Sequence, residues 1–162
     1  MVTTEIRTLA GTAVAVAAAA VAGSSVSRTG VQTWYARLRK PPYVPPNYVF
    51  PAAWTVLYGD IAVSSAVAID RFRAAGQPAQ VRALIVALGT NLVLNAGWSW
   101  LFFNRQKLGA SAVGAAVLSA SSADLARRVG EADTRAGLAL APYPLWCTFA
   151  TVMSTHIWWL NR

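Results

Sequence analysis

The sequence predicts an all-α integral membrane protein: a five transmembrane helix bundle with a short lid helix in the loop after the first helix. Three observations carry this. Of the 162 residues, 56% are hydrophobic and only 12% charged, about half the charged share of ordinary soluble domains. The charges are clustered, leaving five apolar stretches at 9–26, 49–69, 83–103, 108–125 and 136–160. Each is near or above the ~18–20 residues that cross a hydrocarbon core at a helical rise. A soluble fold of this size would have to show much of that apolar surface to water. The five spans form one domain, 1–162, with little outside the membrane.

The net charge of +8 does not point to nucleic acid. Arg71, Arg73, Arg105, Lys107, Arg127 and Arg128 sit at span ends, where basic side chains snorkel to headgroups, and they do not gather into one patch. Seven basic residues fall on each side, so the charge rule assigns no orientation. One cysteine, Cys147, excludes an internal disulfide. One histidine and no Cys/His/carboxylate cluster at ligand spacing argue against a metal site.

The first span has two readings. Its apolar run followed by Ala20-Val21-Ala22 resembles a cleavable leader, but Glu5 offsets Arg7, so the preceding segment lacks the expected positive charge. Gly11, Ala15, Ala19 and Gly23 recur every four residues, a spacing that allows close helix packing, and a retained first helix is expected. The connection 28–47 is the only long one. Within it, Trp34 and Leu38 share a face of a short amphipathic helix, and Pro41 ends that helix at Lys40. Pro41-Pro42 and Pro45-Pro46 favour an extended polyproline segment. Residues 74–78 read as a Gly/Pro turn and 130–134 as a polar turn.

On the third helix Asn91, Asn95, Trp98 and Phe102 share one face. Two carboxamides at mid-membrane need partners, either neighbouring helices or a bound ligand. On the fifth, Pro142, Trp146, Phe149 and Met153 form a stripe flanked by Ala150; the prolines Pro142 and Pro144 either kink the helix or open a pocket wall. Asp60, a carboxylate within the second span, is a functional candidate by position alone. His156 reads as interfacial, beside the membrane-interface tryptophans Trp158 and Trp159. No nucleophile–base pair, carboxylate pair or phosphate loop is visible, so a hydrolase or transferase mechanism has no residues to run on.

Together these residues resemble the translocator protein family, also called tryptophan-rich sensory proteins. The loop fits the pattern W-Y-x-x-L-x-K-P…P-P…F-x-P-x-W-x-x-L-Y at Trp34, Tyr35, Leu38, Lys40, Pro41, Pro45, Pro46, Phe50, Pro51, Trp54, Leu57 and Tyr58. The third helix fits L-N-x-x-W-S-x-x-F-F at Leu94, Asn95, Trp98, Ser99, Phe102 and Phe103; the fifth fits P-Y-x-x-W-x-x-F-A-T at Pro142, Tyr143, Trp146, Phe149, Ala150 and Thr151. The departures are Asn91 where glutamine is usual, Ser154 for asparagine, and Gly59 and Asp60 at usually apolar positions.

The resemblance implies a five-helix bundle, often a homodimer, that binds protoporphyrin IX or another tetrapyrrole, and in some members sterol-like or synthetic apolar ligands. It carries the pocket positions Tyr35, Pro45, Trp54, Asn95, Trp98, Trp146 and Ala150, with Trp34 on the lid; Asn91 and Phe149, on the same faces, join them as candidates. Porphyrin carboxylates would lie near Arg37, Arg39 and Lys40, and the metal-free ligand needs no cofactor. Some members are implicated in light-dependent porphyrin breakdown, with Trp54 and Trp146 at the matching positions. The function expected is a receptor or carrier in tetrapyrrole handling. The alternatives are a photo-oxidative degrader, or a structural membrane partner that binds sterol or lipid. The animal C-terminal sterol motif needs a tyrosine that residues 153–162 lack. The alanine-rich composition and short tails point to a bacterial cell membrane.

Overall fold

The computed structural model describes residues 5–162, without the side chains of 26–32. Six α-helices follow in order: α1 Ile6–Gly30, α2 Val49–Ala74, α3 Pro78–Ser99, α4 Leu108–Ala132, α5 Thr134–Leu140 and α6 Pro142–Leu160. Five spans are long and apolar enough to cross a membrane, the fifth being α5 and α6 together (Thr134–Leu160). The charge gaps in the sequence located all five; the structure extends several of them into their charged ends. The bundle is an integral, multi-pass membrane fold, with no strand among the described residues.

Two helices end in π-turns, Val31–Tyr35 after α1 and Trp100–Asn104 after α3. The first corrects the expected lid helix. Trp34 and Tyr35 do not sit on a separate element but on the wider-wound end of the first helix, which runs on to residue 37. The expected polyproline stretch is also replaced, because the Val44 N–H donates to Pro41 O (3.2 Å) and the Val49 N–H to Pro46 O (2.9 Å), giving two turns.

At one end of the bundle the helices are tied closely. Asp70 of α2 accepts from the Glu5 N–H and the Thr8 hydroxyl, both at 2.8 Å, so an acid from a neighbour caps the first turn of α1. Arg73 donates to Thr8 and pairs with Asp70. Thr12 donates to Ala62 O (2.8 Å). Asp133 accepts from the Ala136 N–H (3.0 Å) as the N-cap of α5 and pairs with Arg71 (3.0 Å). Gly137 and Gly130 bring α5 against α4 so closely that a Cβ on Gly137 would stand 2.5 Å from the Gly130 Cα. Leu125, Val129 and Leu140 are fully buried there.

The small-residue row of α1 turns out to be divided. Gly11 and Ala15 face outward, and only Ala19 and Gly23 turn inward, beside the buried Thr8, Thr12 and Val16. A four-residue step advances 400°, so the row drifts about 40° per step around a 3.6-residue helix.

Candidate functional site

At the opposite end the helices part. α2 packs against α5 but touches α6 at only a few points, and a cavity of about 520 Å³ opens among α1, α2 and the end of α3, with one residue of α6 on its wall. That lies within the range of small-molecule pockets. Each wall follows from local helix geometry. From α2 come Phe50, Trp54 and Tyr58, a four-residue spacing that stacks Trp54 on Tyr58 (ring centroids 5.3 Å). From α3 come Trp98, stacked on Phe102 (5.3 Å), and Phe103, which the π-turn brings to the same cavity. Ala20, Gly23 and Ser24 of α1 and Met153 of α6 also line it. Tyr35 borders the cavity from the other π-turn and meets both Phe102 (5.9 Å) and Phe103 (6.1 Å) edge-on. Its hydroxyl is buried without a hydrogen-bond partner among the described residues, and burial pushes the phenol above its ordinary pKa.

The loop is fastened over this mouth by α6. Asn161 accepts from the Arg39 N–H (3.0 Å) and donates to Arg39 O (2.8 Å). The Tyr43 hydroxyl lies 3.1 Å from His156 Nδ1. His156 thus pins the loop, and no cluster of three or more His, Cys or carboxylate ligands exists among the described residues.

Of the residues singled out from the sequence, Tyr35, Trp54, Trp98, Phe102 and Met153 border the cavity. Trp34 packs on Phe102 (5.3 Å) without reaching it. Trp146 meets Phe50 and Phe149, Phe149 meets Tyr43, and Pro45 and Ala150 are half-buried nearby; none of these four borders the cavity. Asn91 and Asn95 are buried away from it in a hydrogen-bonded chain. Tyr58 donates to Asn95 Oδ1 (2.8 Å), Asn95 Nδ2 to the Tyr143 hydroxyl (3.4 Å), Tyr143 to Asn91 Oδ1 (2.7 Å), and Asn91 Nδ2 to Ser121 (3.2 Å). This satisfies both carboxamides within the bundle, through partners on α2, α4 and α6. Asp60 is half-buried, accepts from Ser64 (2.8 Å) and is absent from the cavity wall.

Near the mouth, Lys40 folds over the Tyr35 ring (4.6 Å to the centroid), while Arg37 and Arg39 are exposed. Phe50, Tyr58 and Phe103, read only as parts of the motifs, Gly23, read only as a packing residue, and Ser24 also line the cavity. The Phe50–Trp54–Tyr58 spacing was the available signal.

The motif that describes the TspO/MBR family matches residues 11–160. The chain belongs to the TspO/MBR family. The TspO/MBR relatives include the tryptophan-rich protein TspO of Archaeoglobus fulgidus, 34% identical over 94% of this chain and 96% of that one. Protein CrtK of Rhodobacter capsulatus is 29% identical over 89% and 88%. The translocator protein of Bos taurus is 27% identical over 86% and 82%. The TspO/MBR match thus takes in the whole cavity, from Ala20 to Met153.

Proposed function

We propose that the protein is a membrane receptor or carrier for porphyrins, with protoporphyrin IX or a related tetrapyrrole in the cavity, and a role in tetrapyrrole handling. The observation that carries this reading is the aromatic wall. Trp54, Tyr58, Trp98, Phe102 and Phe103 present π faces and edges to one space, suited to a flat apolar macrocycle. Lys40, over the Tyr35 ring, and the exposed Arg37 and Arg39 of the same loop are the candidates for its carboxylates, and the unpaired Tyr35 hydroxyl offers a further donor. Bacterial relatives support a place in a bacterial cell membrane. The outward Gly11 and Ala15 suit close packing in a homodimer.

The test is tryptophan fluorescence of the purified protein titrated with protoporphyrin IX. Micromolar porphyrin quenches it, and Trp54→Leu with Trp98→Leu weakens binding at least about tenfold. Absence of quenching sinks the proposal.

A second reading, light-dependent porphyrin breakdown, is favoured by Trp54 bordering the cavity in a stack with Tyr58. Illumination of the bound complex separates the two readings. Equal bleaching by wild type and a Trp54→Phe/Trp146→Phe variant leaves only binding.

A further inference from the structure

A second opening lies at the tightly tied end, on the outer face between α3 and α4. This trough of about 450 Å³ is walled by Ala83, Val86 and Ala87 and floored by Thr90 and Ser121. It is rimmed by Arg82 and Arg128, with Asp124 beside them. We propose that it is a binding site for an anionic phospholipid, with the phosphate on Arg82 and Arg128 and an acyl chain along the alanine-valine wall.

Three observations lead there. Arg82 stands one turn into α3, at the edge of the span, and makes no ion pair among the described residues. Arg128 pairs with Asp124 only through Nε (2.6 Å). Asp124 is shared with Arg127 (2.7 Å), which also pairs with Glu131. The trough therefore carries one more positive than negative charge on its rim: Arg82 and Arg128 against Asp124. Basic pockets between spans recognise anionic headgroups in this way.

From Arg82 the wall descends eight residues to Thr90, about 12 Å into the membrane. An apolar channel of that depth selects a lipid over a soluble phosphate. The floor asks nothing of the chain, because the Ser121 hydroxyl already accepts from Asn91.

The test is native mass spectrometry of the full chain released from micelles doped with phosphatidylglycerol or phosphatidylcholine. Wild type retains one phosphatidylglycerol in preference to phosphatidylcholine. Arg82→Gln weakens that retention about fivefold, and Arg82→Gln/Arg128→Gln abolishes the preference. Arg135→Gln, an exposed cation at the same end, leaves it unchanged. Ala87→Trp fills the trough and lowers retention with the charge intact.

A preference that survives in the double arginine variant overturns the proposal. So does equal loss in Arg135→Gln, which would mark a diffuse field, or unaltered retention in Ala87→Trp. Competition by glycerol 3-phosphate as effective as that by the lipid would identify a soluble-anion site and reject the phospholipid.

Discussion

The two ends of this bundle are built on opposite principles. Where α1 begins and α2 ends, Glu5, Thr8, Asp70 and Arg73 are joined by close polar contacts, and α4 and α5 meet through glycine. Where α1 and α3 end, both widen into π-turns, aromatic rings replace aliphatic packing, and the helices stand apart around a cavity. Rigid closure at one end holds the helix directions, so the other end can stay open without collapsing. π-turns recur where function needs a helix rewound. Here the pair of them brings Tyr35 and Phe103 to the same space.

Breaking the closed end should therefore cost stability, while breaking the open end should mainly cost retention of a ligand. The largest effect is expected from Gly137→Val. Its side chain would meet the Gly130 backbone, where a Cβ alone already stands 2.5 Å from Cα. Overpacking against backbone should destabilise by about 3 kcal/mol or more. Thermal melting in detergent measures it, and an unchanged midpoint would contradict the close approach.

Next comes Tyr143→Phe, midway between the ends. It strips Asn91 Oδ1 and Asn95 Nδ2 of a partner, at about 1–2 kcal/mol. Asn91→Leu combined with Tyr143→Phe should cost less than the sum of the separate changes, because fewer buried groups are then orphaned. Asn161→Ala should lower stability by only about 1 kcal/mol. It should nevertheless expose residues 38–48 to limited proteolysis, since Asn161 clasps Arg39 from both sides.

The smallest effect concerns Asp133. The Ala136 N–H, then Arg71, holds its carboxyl below the usual carboxylate range. A depressed folded-state pKa contributes stability that is fully present above the unfolded value, about 3.9, and is lost as pH falls through the folded one. Asp133→Asn keeps a capping acceptor but loses the ion pair. Its melting point should sit slightly below wild type at pH 7, by under about 1 kcal/mol, and converge with it in acid. A gap that persists at low pH would assign the loss to the cap.

The closed end was legible in the sequence as architecture and the open end as chemistry. The gaps between charges located the spans because a membrane imposes its own length. Trp98 was readable because it shares a helix face with Phe102, and Trp54 through the resemblance of its loop motif. What escaped was set by neighbours. Asn91 and Asn95 share a face with Trp98, yet only the placement of Tyr143 from α6 shows that they turn into the bundle and not onto the cavity. The π-turns left no local pattern either, so Trp34 and Tyr35 read as a separate lid helix. The prolines of the loop read as an extended rod for a similar reason. Proline restricts its own φ, but the turn is decided by where Val44 and Val49 find carbonyls.

The break at Ala141 between α5 and α6 has a mechanical consequence. α5 is anchored by Asp133, Arg71 and the glycine contact, whereas α6 packs along α4, its main neighbour, and touches α2 at only a few points. With 19 residues, α6 is about 28 Å long and carries the loop clasp at its far end, so any tilt of the α4–α6 pair about the packed end is largest at the clasp. Each degree of such a tilt moves the clasp by about 0.5 Å. A tilt of about three degrees, shared by α6 and the α4 helix it packs along, would move the clasp by about 1.5 Å, the length of a carbon–carbon bond.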